Sequence, residues 1–491
     1  MKNDEIKLFI KDEPTLKERF LIFMNLLVSN QSESRVECIL FFAFFYLQTI
    51  SGFFTERVKL LNPKENISDN ILFCLEKIIR FKDTIKGNKN DFELFIYIWA
   101  IILILFTLIF IFILFQTNRD SLYTAKYYFI NILIKISYYI LYNIILDFFS
   151  SFLCFGSEKS DIVKDYSCRI SDHIGIFLVS FISTLYCIFM VIFLQTYYID
   201  CFYLSVNYYS QIATKYNILM ALNAVCFSIT KSLINHLTTE VFLVLNIIIS
   251  IYLFYFYYRN IIFYDEMTNK ICGIFHIVYI WTPLFFFITK YLDISELGLL
   301  WFLSSLIVTF IYFNLKNKFE DWIFCQLPYY KIQNINYLLY YLRSIITMIN
   351  TGLENQKIKT RLTGIIQIHI LECPNPKCLT KTKQKLYLPS KNEWSDRSKP
   401  FITDFVFLNS LIIAIMNYFI ASNFYSPELL INFSYYYLEI IGNISLSIYF
   451  LHKVELMKMT AQELFTLERL KIMISQKLIE KLKKKMSIVQ I

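Results

Sequence analysis

The stretch Leu94-Phe-Ile-Tyr-Ile-Trp-Ala-Ile-Ile-Leu-Ile-Leu-Phe-Thr-Leu-Ile-Phe-Ile-Phe-Ile-Leu-Phe-Gln116 decides the class of this fold. It carries no formal charge, and every position apart from Thr107 and Gln116 is hydrophobic. A helix needs about 20 consecutive apolar residues to cross the hydrocarbon core of a bilayer. The stretch therefore predicts a transmembrane helix.

The composition of the whole chain is typical of a membrane protein. Of its 491 residues, 56% are hydrophobic and 18% are charged, whereas a soluble domain has about 25% charged residues. The net charge is +9, but much of the basic excess lies beside the apolar runs and in Lys481-Leu-Lys-Lys-Lys485. Basic flanks are typical of segments that meet anionic lipid. We therefore expect a lipid bilayer as partner and no nucleic acid.

Seven further apolar runs accompany the first. The run at 127–154 is long and carries Lys135 and Asp147, while the run at 218–235 is short and carries Lys231. Together the runs predict about eight membrane spans. They lie at residues 36–54, 93–115, 127–154, 173–198, 218–235, 239–258, 271–292 and 295–316.

The chain changes character at about residue 317. Beyond it the patterns are those of amphipathic helices, as in Leu467, Leu470, Ile474 and Leu478, which recur at spacings of three and four. Consecutive helices with short links suit a tetratricopeptide-like array, although no clean 34-residue repeat is visible. The fold class we predict is all-α: a polytopic membrane helix bundle followed by a cytosolic tetratricopeptide-like helical domain. Its predicted parts are a cytosolic N-terminal segment at 1–35, a multi-span transmembrane domain at 36–316 and the helical domain at 317–491.

The run at 401–421 has two interpretations. Its length and hydropathy suit a buried helix of the cytosolic domain, or a ninth span interrupted by Asp404. With eight spans both termini lie on one side, and we expect that side to be the cytosol. Against this orientation, the segment 55–92 would be external while carrying eight Lys and Arg residues, which violates the usual charge bias.

One compact cluster has the spacing of metal ligands: His369-Ile-Leu-Glu-Cys373-Pro-Asn-Pro-Lys-Cys378. On a helix His369 and Cys373 share a face, and four residues separate the two cysteines, which fits a structural zinc site. A fourth ligand would have to come from His452 or a carboxylate. Two alternatives stay open: the cysteines only end a helix and begin a loop, or they form a redox pair.

Ionisable residues within the apolar runs are the other candidates. An intramembrane charge is costly and is a functional hypothesis by default, which supports a transporter or channel as the alternative function. Lysines near span ends can instead extend to the interface. The residues concerned are Lys135, Asp147, Lys231, His276 and Lys290.

Familiar enzyme signatures are missing from the sequence. It has no Gly-x-x-x-x-Gly-Lys phosphate loop, no Gly-x-Ser-x-Gly elbow and no His-Glu-x-x-His, which are the patterns that build phosphate sites, hydrolase nucleophiles and zinc protease sites. The chain has only nine glycines, which cannot build a glycine-rich phosphate-binding loop. We therefore expect no enzymatic activity.

Several stretches resemble one family. Residues 355–378 carry Gly364, then His369-x-x-x-Cys373 and then Cys378, which resembles the hallmark of the tiny macrocysts protein B-like (TmcB-like) proteins, a protist group expanded in ciliates. Residues 426–443 look like that family's second helical unit, and 463–469 look like the start of a third. In the membrane part the similar pieces are Tyr46-Leu-Gln48, Phe263-Tyr-Asp265, Gly273 and Trp281-Thr282.

The resemblance implies a multi-span region followed by cytosolic tetratricopeptide-like helices. Family members often continue into PAS sensor domains, for which this chain, ending at Ile491, leaves no room, and Cys378-Leu-Thr lacks the family's proline. We therefore expect a signalling or scaffold protein of the plasma membrane or an endomembrane, with a cytosolic module for a protein partner.

Overall fold

The described residues of the computed structural model are predominantly helical and contain no β-strand. These residues are 15–29, 35–51, 53, 89–116, 125–137, 142, 174–198, 200, 202, 210, 215–232, 239–259, 261–290, 297–325, 332, 334–350, 366–367, 369, 371, 405–421 and 426–489. Their helices are α1 (Leu16–Ser29), α2 (Arg35–Ser51), α3 (Lys89–Phe115), α4 (Ala125–Lys135), α5 (Ile174–Tyr197), α6 (Lys215–Ser232), α7 (Thr239–Arg259), α8 (Glu266–Thr289), α9 (Leu297–Cys325), α10 (Ile335–Asn350), α11 (Phe405–Ala421), α12 (Pro427–Glu439), α13 (Ile444–Glu455) and α14 (Ala461–Val489).

Five of these helices are long and apolar enough to cross a membrane. They confirm five of the eight predicted runs, and the chain is an integral membrane protein by this criterion. Ile101, Leu108 and Phe112 of α3 are 54%, 55% and 61% exposed, a loss of burial that water would penalise and lipid does not. The five segments are Ile96–Phe115, Ile174–Leu194, Glu240–Tyr258, Glu266–Thr289 and Leu297–Glu320.

The other three predicted spans do not meet the same criterion. The run at 36–54 is a 17-residue helix, α2, and the run at 218–235 lies in α6, with a shorter apolar part at Ile218–Phe227. The run at 127–154 begins with α4, but most of it lies outside the described residues. The described residues therefore contain five candidate spans.

Helix α1 was not anticipated within the predicted N-terminal segment. Thr15 and Glu18 close its first turn reciprocally: the Thr15 N–H donates to Oε2 of Glu18 at 2.8 Å and the Glu18 N–H to Oγ1 of Thr15 at 3.3 Å, which is a capping box. Phe23 and Leu27 are fully buried, and Phe23 meets Phe110 of α3 edge-on, with ring centroids 4.9 Å apart. Aromatic burial thus attaches α1 to the membrane helices.

The chain divides into two compact units. The first, the membrane unit, contains residues 1–200, 207–209 and 214–313, and the second, the helical unit, contains 201–206, 210–213 and 314–491. The predicted change of character at 317 lies close to residue 314, inside α9. Two short pieces that lie far upstream in the sequence also belong to the helical unit.

Helix α8 is central to the membrane unit and packs against α2 and α7. Asp265 caps its first turn by accepting from the Thr268 N–H at 2.9 Å. Where α8 meets α9, Gly273 lies directly against the Tyr312 ring. A glycine at this point leaves room for the Tyr312 side chain against the backbone of α8.

The helical unit is built on a hairpin of α12 and α13. Ser426 caps α12 and Asn443 caps α13, and between the two helices Gly442 adopts φ +70°, a left-handed conformation that other residues rarely adopt. Residues 427–455 therefore form two helices and not one continuous helix. Helix α14 packs on both through its buried Leu467 and Leu470.

Candidate functional site

A buried histidine lies in the middle of the most central span. His276 of α8 is 0% exposed, and the span runs from Glu266 to Thr289. Sequence reasoning singled out this histidine because an ionisable residue at such a depth needs a reason to be there. The structure shows what surrounds it.

Three tyrosines from three different helices enclose the imidazole. The ring centroids of Tyr46 (α2), Tyr216 (α6) and Tyr257 (α7) lie 5.2, 5.2 and 4.9 Å from that of His276. The Tyr216 hydroxyl hydrogen-bonds to Nε2 of His276 and also to the Tyr46 hydroxyl. We call these four residues the His276 cluster.

Further polar pairs extend this buried layer. The Tyr257 hydroxyl donates to the backbone carbonyl and to Oδ1 of Asn269. Nδ2 of Asn223 in α6 donates to the Tyr279 hydroxyl at 2.9 Å. Because these bonds join α6, α7 and α8 in an apolar surrounding, each bond fixes the relative position of two helices.

One ring nitrogen of His276 makes no hydrogen bond within the cluster. Within the described part of the chain, Nδ1 of His276 is buried without a hydrogen-bond partner. An unsatisfied buried polar atom costs about 1–3 kcal/mol, and such atoms are uncommon in native structures. Nδ1 can donate to or accept from a water or a small polar ligand, according to the tautomer that Tyr216 selects at Nε2.

The predicted intramembrane lysines have acidic partners. Nζ of Lys135 lies 3.0 Å from Oε1 of Glu37, and Lys290 pairs with Glu240. Asp147 lies outside the described residues, and α6 contains Lys231, whose side chain is not described. For Lys135 and Lys290 the structure favours a role in joining helices.

A further ion pair went unnoticed in the sequence. Nη2 of Arg35 lies 2.9 Å from Oδ1 of Asp265, the residue that caps α8. The pair joins the start of α2 to the start of α8, 230 positions apart. Such a separation leaves no local signal, so only the fold could reveal the pair.

The predicted zinc ligands are only partly visible. His369 is buried, at 1% exposure, whereas Cys373 and Cys378 lie outside the described residues. The suggested fourth ligand, His452, is largely exposed and lies 3.0 Å from Oε2 of Glu455. No group of three metal-binding side chains occurs among the residues that the structure describes, so the zinc site stays a prediction.

The helical unit presents a row of exposed side chains that follows α13 to its C-cap residue, Leu456. Leu446, Tyr449 and Leu456 are 39%, 51% and 90% exposed. Nζ of Lys453 lies 4.7 Å from the Tyr449 ring centroid, which is cation–π geometry. We call these four residues the α13 row.

No protein-family model, no curated protein and no solved structure matches this chain. The resemblance to the TmcB-like proteins remains a prediction. Several residues that carry it are packing residues around α8: Tyr46 belongs to the His276 cluster, Asp265 caps the helix, and Thr282 accepts from Nε1 of Trp301 at 3.2 Å.

Proposed function

We propose that this chain is a multi-pass membrane protein of the signalling or scaffold class, whose helical unit is a cytosolic module that binds a protein partner. The α13 row is the observation that supports this proposal. Protein-binding surfaces are enriched in tyrosine and in apolar side chains surrounded by polar ones. In the same helix, Val454 is fully buried and Leu451 is 5% exposed, so the exposed row is held by a packed scaffold.

A photo-crosslinking residue placed at Tyr449 tests this proposal in the full-length protein in its own membrane. We expect one discrete crosslinked adduct, which Leu446→Asp should abolish. The matched control is the same crosslinker at Gln476, an exposed polar position on α14. Identical adducts from both positions, or none from Tyr449, would contradict the proposal.

The finer membrane topology belongs to the same proposal. Phe202 is buried in the core of the helical unit beside Leu430 and Leu467, so we place the stretch around it on the same side of the membrane as residues 326–491, which follow α9. Four helices, α6 to α9, separate the two stretches, and three of them are candidate spans. An odd number of crossings would separate the stretches, so this parity supports α6 as a further span.

We also retain the zinc site at His369, Cys373 and Cys378 in the proposal. The burial of His369 supports a structural role for this side chain, because an interior imidazole is part of the packed fold. Metal analysis of the purified full-length protein should give one zinc per chain. The double variant Cys373→Ser/Cys378→Ser should lose that zinc and lower the melting temperature, and unchanged metal content would exclude the site.

A transporter or channel is the second candidate, and the His276 cluster is the observation that favours it. Polar residues in the interior of a membrane bundle mark substrate and ion pathways in transporters. Flux into vesicles carrying the purified protein, compared between wild type and His276→Leu, tests this candidate. A substrate-dependent flux that the substitution abolishes would support it, and identical flux with both proteins would exclude a role for the cluster in transport.

A further inference from the structure

Helix α14 continues beyond the core that it helps to form. Its buried face consists of Phe465, Leu467, Leu470 and Ile474, and Leu478 still packs partly against that core. Ile479 is already 47% exposed, yet the helix runs on to Val489. At about 1.5 Å per residue, the part after Leu478 is roughly 16 Å long.

The lysines of α14 fall into two groups. Lys471 lies 2.7 Å from Oε1 of Glu455, and Lys477 lies 2.8 Å from Oε2 of Glu439. Both lysines therefore fasten α14 to the hairpin. The next four are Lys481, Lys483, Lys484 and Lys485, which lie further along the same helix.

Residues 477–489 form what we call the basic segment. It contains five lysines and a single acidic residue, Glu480. In helical register Leu478, Leu482, Met486 and Val489 follow at spacings of four, four and three, which places them on one stripe. Lys483 and Lys485 fall on either side of that stripe.

A helix with an apolar stripe flanked by lysines has the pattern of one that lies in the plane of a membrane surface. Clusters of four to eight basic residues near spans are attracted to the anionic lipids of the adjacent leaflet. This chain has five helices able to cross a membrane, so a lipid surface is always close to it. An acidic protein is the less favoured partner, because it would be a separate molecule, whereas lipid is present wherever this protein is.

We propose that the basic segment of α14 docks on an anionic lipid surface, with its apolar stripe in the headgroup region and Lys481, Lys483, Lys484 and Lys485 against lipid phosphates and carboxylates. The docking is independent of the partner-binding role given to the α13 row.

Hydrogen exchange of the full-length protein in nanodiscs tests the docking. The two lipid compositions are phosphatidylcholine alone and phosphatidylcholine mixed with phosphatidylserine. Amides of residues 479–489 should exchange about fivefold more slowly in the mixed lipid for each lysine engaged. Amides of residues 465–478 in the same helix should exchange equally in both, because they are held by the hairpin.

Two matched variants complete the experiment. Replacement of Lys481, Lys483, Lys484 and Lys485 by Gln should abolish the lipid-dependent protection, and replacement by Arg should keep it. Raising the salt concentration should weaken the protection in the wild type. Equal exchange in the two lipids, protection that survives the Gln variant, or protection that needs an added acidic protein would each overturn the proposal.

Discussion

His276 lies at the centre of the buried aromatic and polar cluster of the membrane unit. Its Nε2 is bonded to Tyr216, and three tyrosine rings surround it. In an apolar interior a hydrogen bond is stronger than in water, and an unmade one is correspondingly costly. The Tyr216 hydroxyl makes hydrogen bonds to both His276 and Tyr46, so its loss would affect two buried polar groups.

Tyr216→Phe should destabilise the membrane unit by about 1–3 kcal/mol, because it leaves Nε2 of His276 and the Tyr46 hydroxyl without this partner. The measurement is denaturant unfolding of the protein in detergent micelles. In the double variant Tyr216→Phe/His276→Leu the loss should be smaller than the sum of the two single losses. Strict additivity would show that the two side chains do not interact.

At the scale of elements, the packing of Tyr312 from α9 against α8 depends on the absence of a side chain at Gly273. A Cβ on Gly273 would overlap the ring of Tyr312, which is itself 4% exposed and has little room to move. Adding a Cβ to a helical glycine causes no such overlap where the space around it is open. Gly175 in α5 is the example, since its nearest neighbour would be the Tyr97 hydroxyl at 3.8 Å.

Gly273→Ala should therefore cost about 1–3 kcal/mol through overpacking. Gly175→Ala is the matched control and should be neutral or slightly stabilising, because alanine favours a helix more than glycine does. Thermal unfolding in detergent compares the two variants. Equal melting temperatures would mean that α8 and α9 separate without cost.

The turn between α12 and α13 makes a different demand on glycine. No atom lies within 4 Å of the Cβ that Gly442 would gain, but its φ is +70°. Gly442→Ala should cost about 1–2 kcal/mol from backbone conformation alone, and Gly442→Asn should cost less because asparagine tolerates this region. Urea unfolding followed by circular dichroism measures both. A loss as large for Asn as for Ala would point to a cause other than φ.

Helices α13 and α14 are joined by a titratable pair. Burial works against both charged forms, but hydrogen bonds and charge outweigh it: Lys471 and His452 hold the pKa of Glu455 below its usual 4.5, and Glu455 and Glu468 hold the pKa of Lys471 above its usual 10.5. The Glu455 contribution is present above pH 4.5 and is lost as the pH falls through its folded pKa. The Lys471 contribution is present below pH 10.5 and is lost as the pH rises through its folded pKa.

The melting temperature of the helical unit should therefore fall on acidification below pH 4.5 more steeply in the wild type than in Glu455→Gln. Parallel curves for wild type and Glu455→Gln would show that the pair adds nothing to stability.

At the scale of the whole molecule, the helical unit includes Phe202, which lies between α5 and α6 in the sequence. Phe202 stacks on Tyr435 with ring centroids 4.2 Å apart, and the Arg469 guanidinium carbon lies 5.0 Å from the Phe202 centroid. These contacts attach Phe202 to α12 and α14 of the helical unit.

An epitope tag inserted after Asn235 tests the topology that follows from this contact. If α6 crosses the membrane, the tag lies on the side opposite to a second tag placed at Gln476. We expect an antibody to reach one tag in sealed vesicles and both after permeabilisation. Equal accessibility in sealed vesicles would place α6 outside the set of spans.

The sequence by itself determined the membrane class, five of the spans and the helical character of the rest. Length and hydropathy are local properties, and a bilayer imposes them on each helix separately. Helix α1 (Leu16–Ser29) is not predicted from the sequence, because its apolar run is too short to cross a membrane and its apolar face is buried against other helices. The pattern also singled out His276 as an unusual residue within an apolar run.

Only the tertiary structure decided which residues act together. Tyr46, Tyr216 and Tyr257 are distributed over more than 200 positions of sequence and meet around His276 because α2, α6, α7 and α8 pack side by side. The ion pair between Lys135 and Glu37 likewise joins residues that lie far apart in the sequence. Such pairings depend on long-range packing, which leaves no periodic trace in the chain, so charge and spacing alone could not predict them.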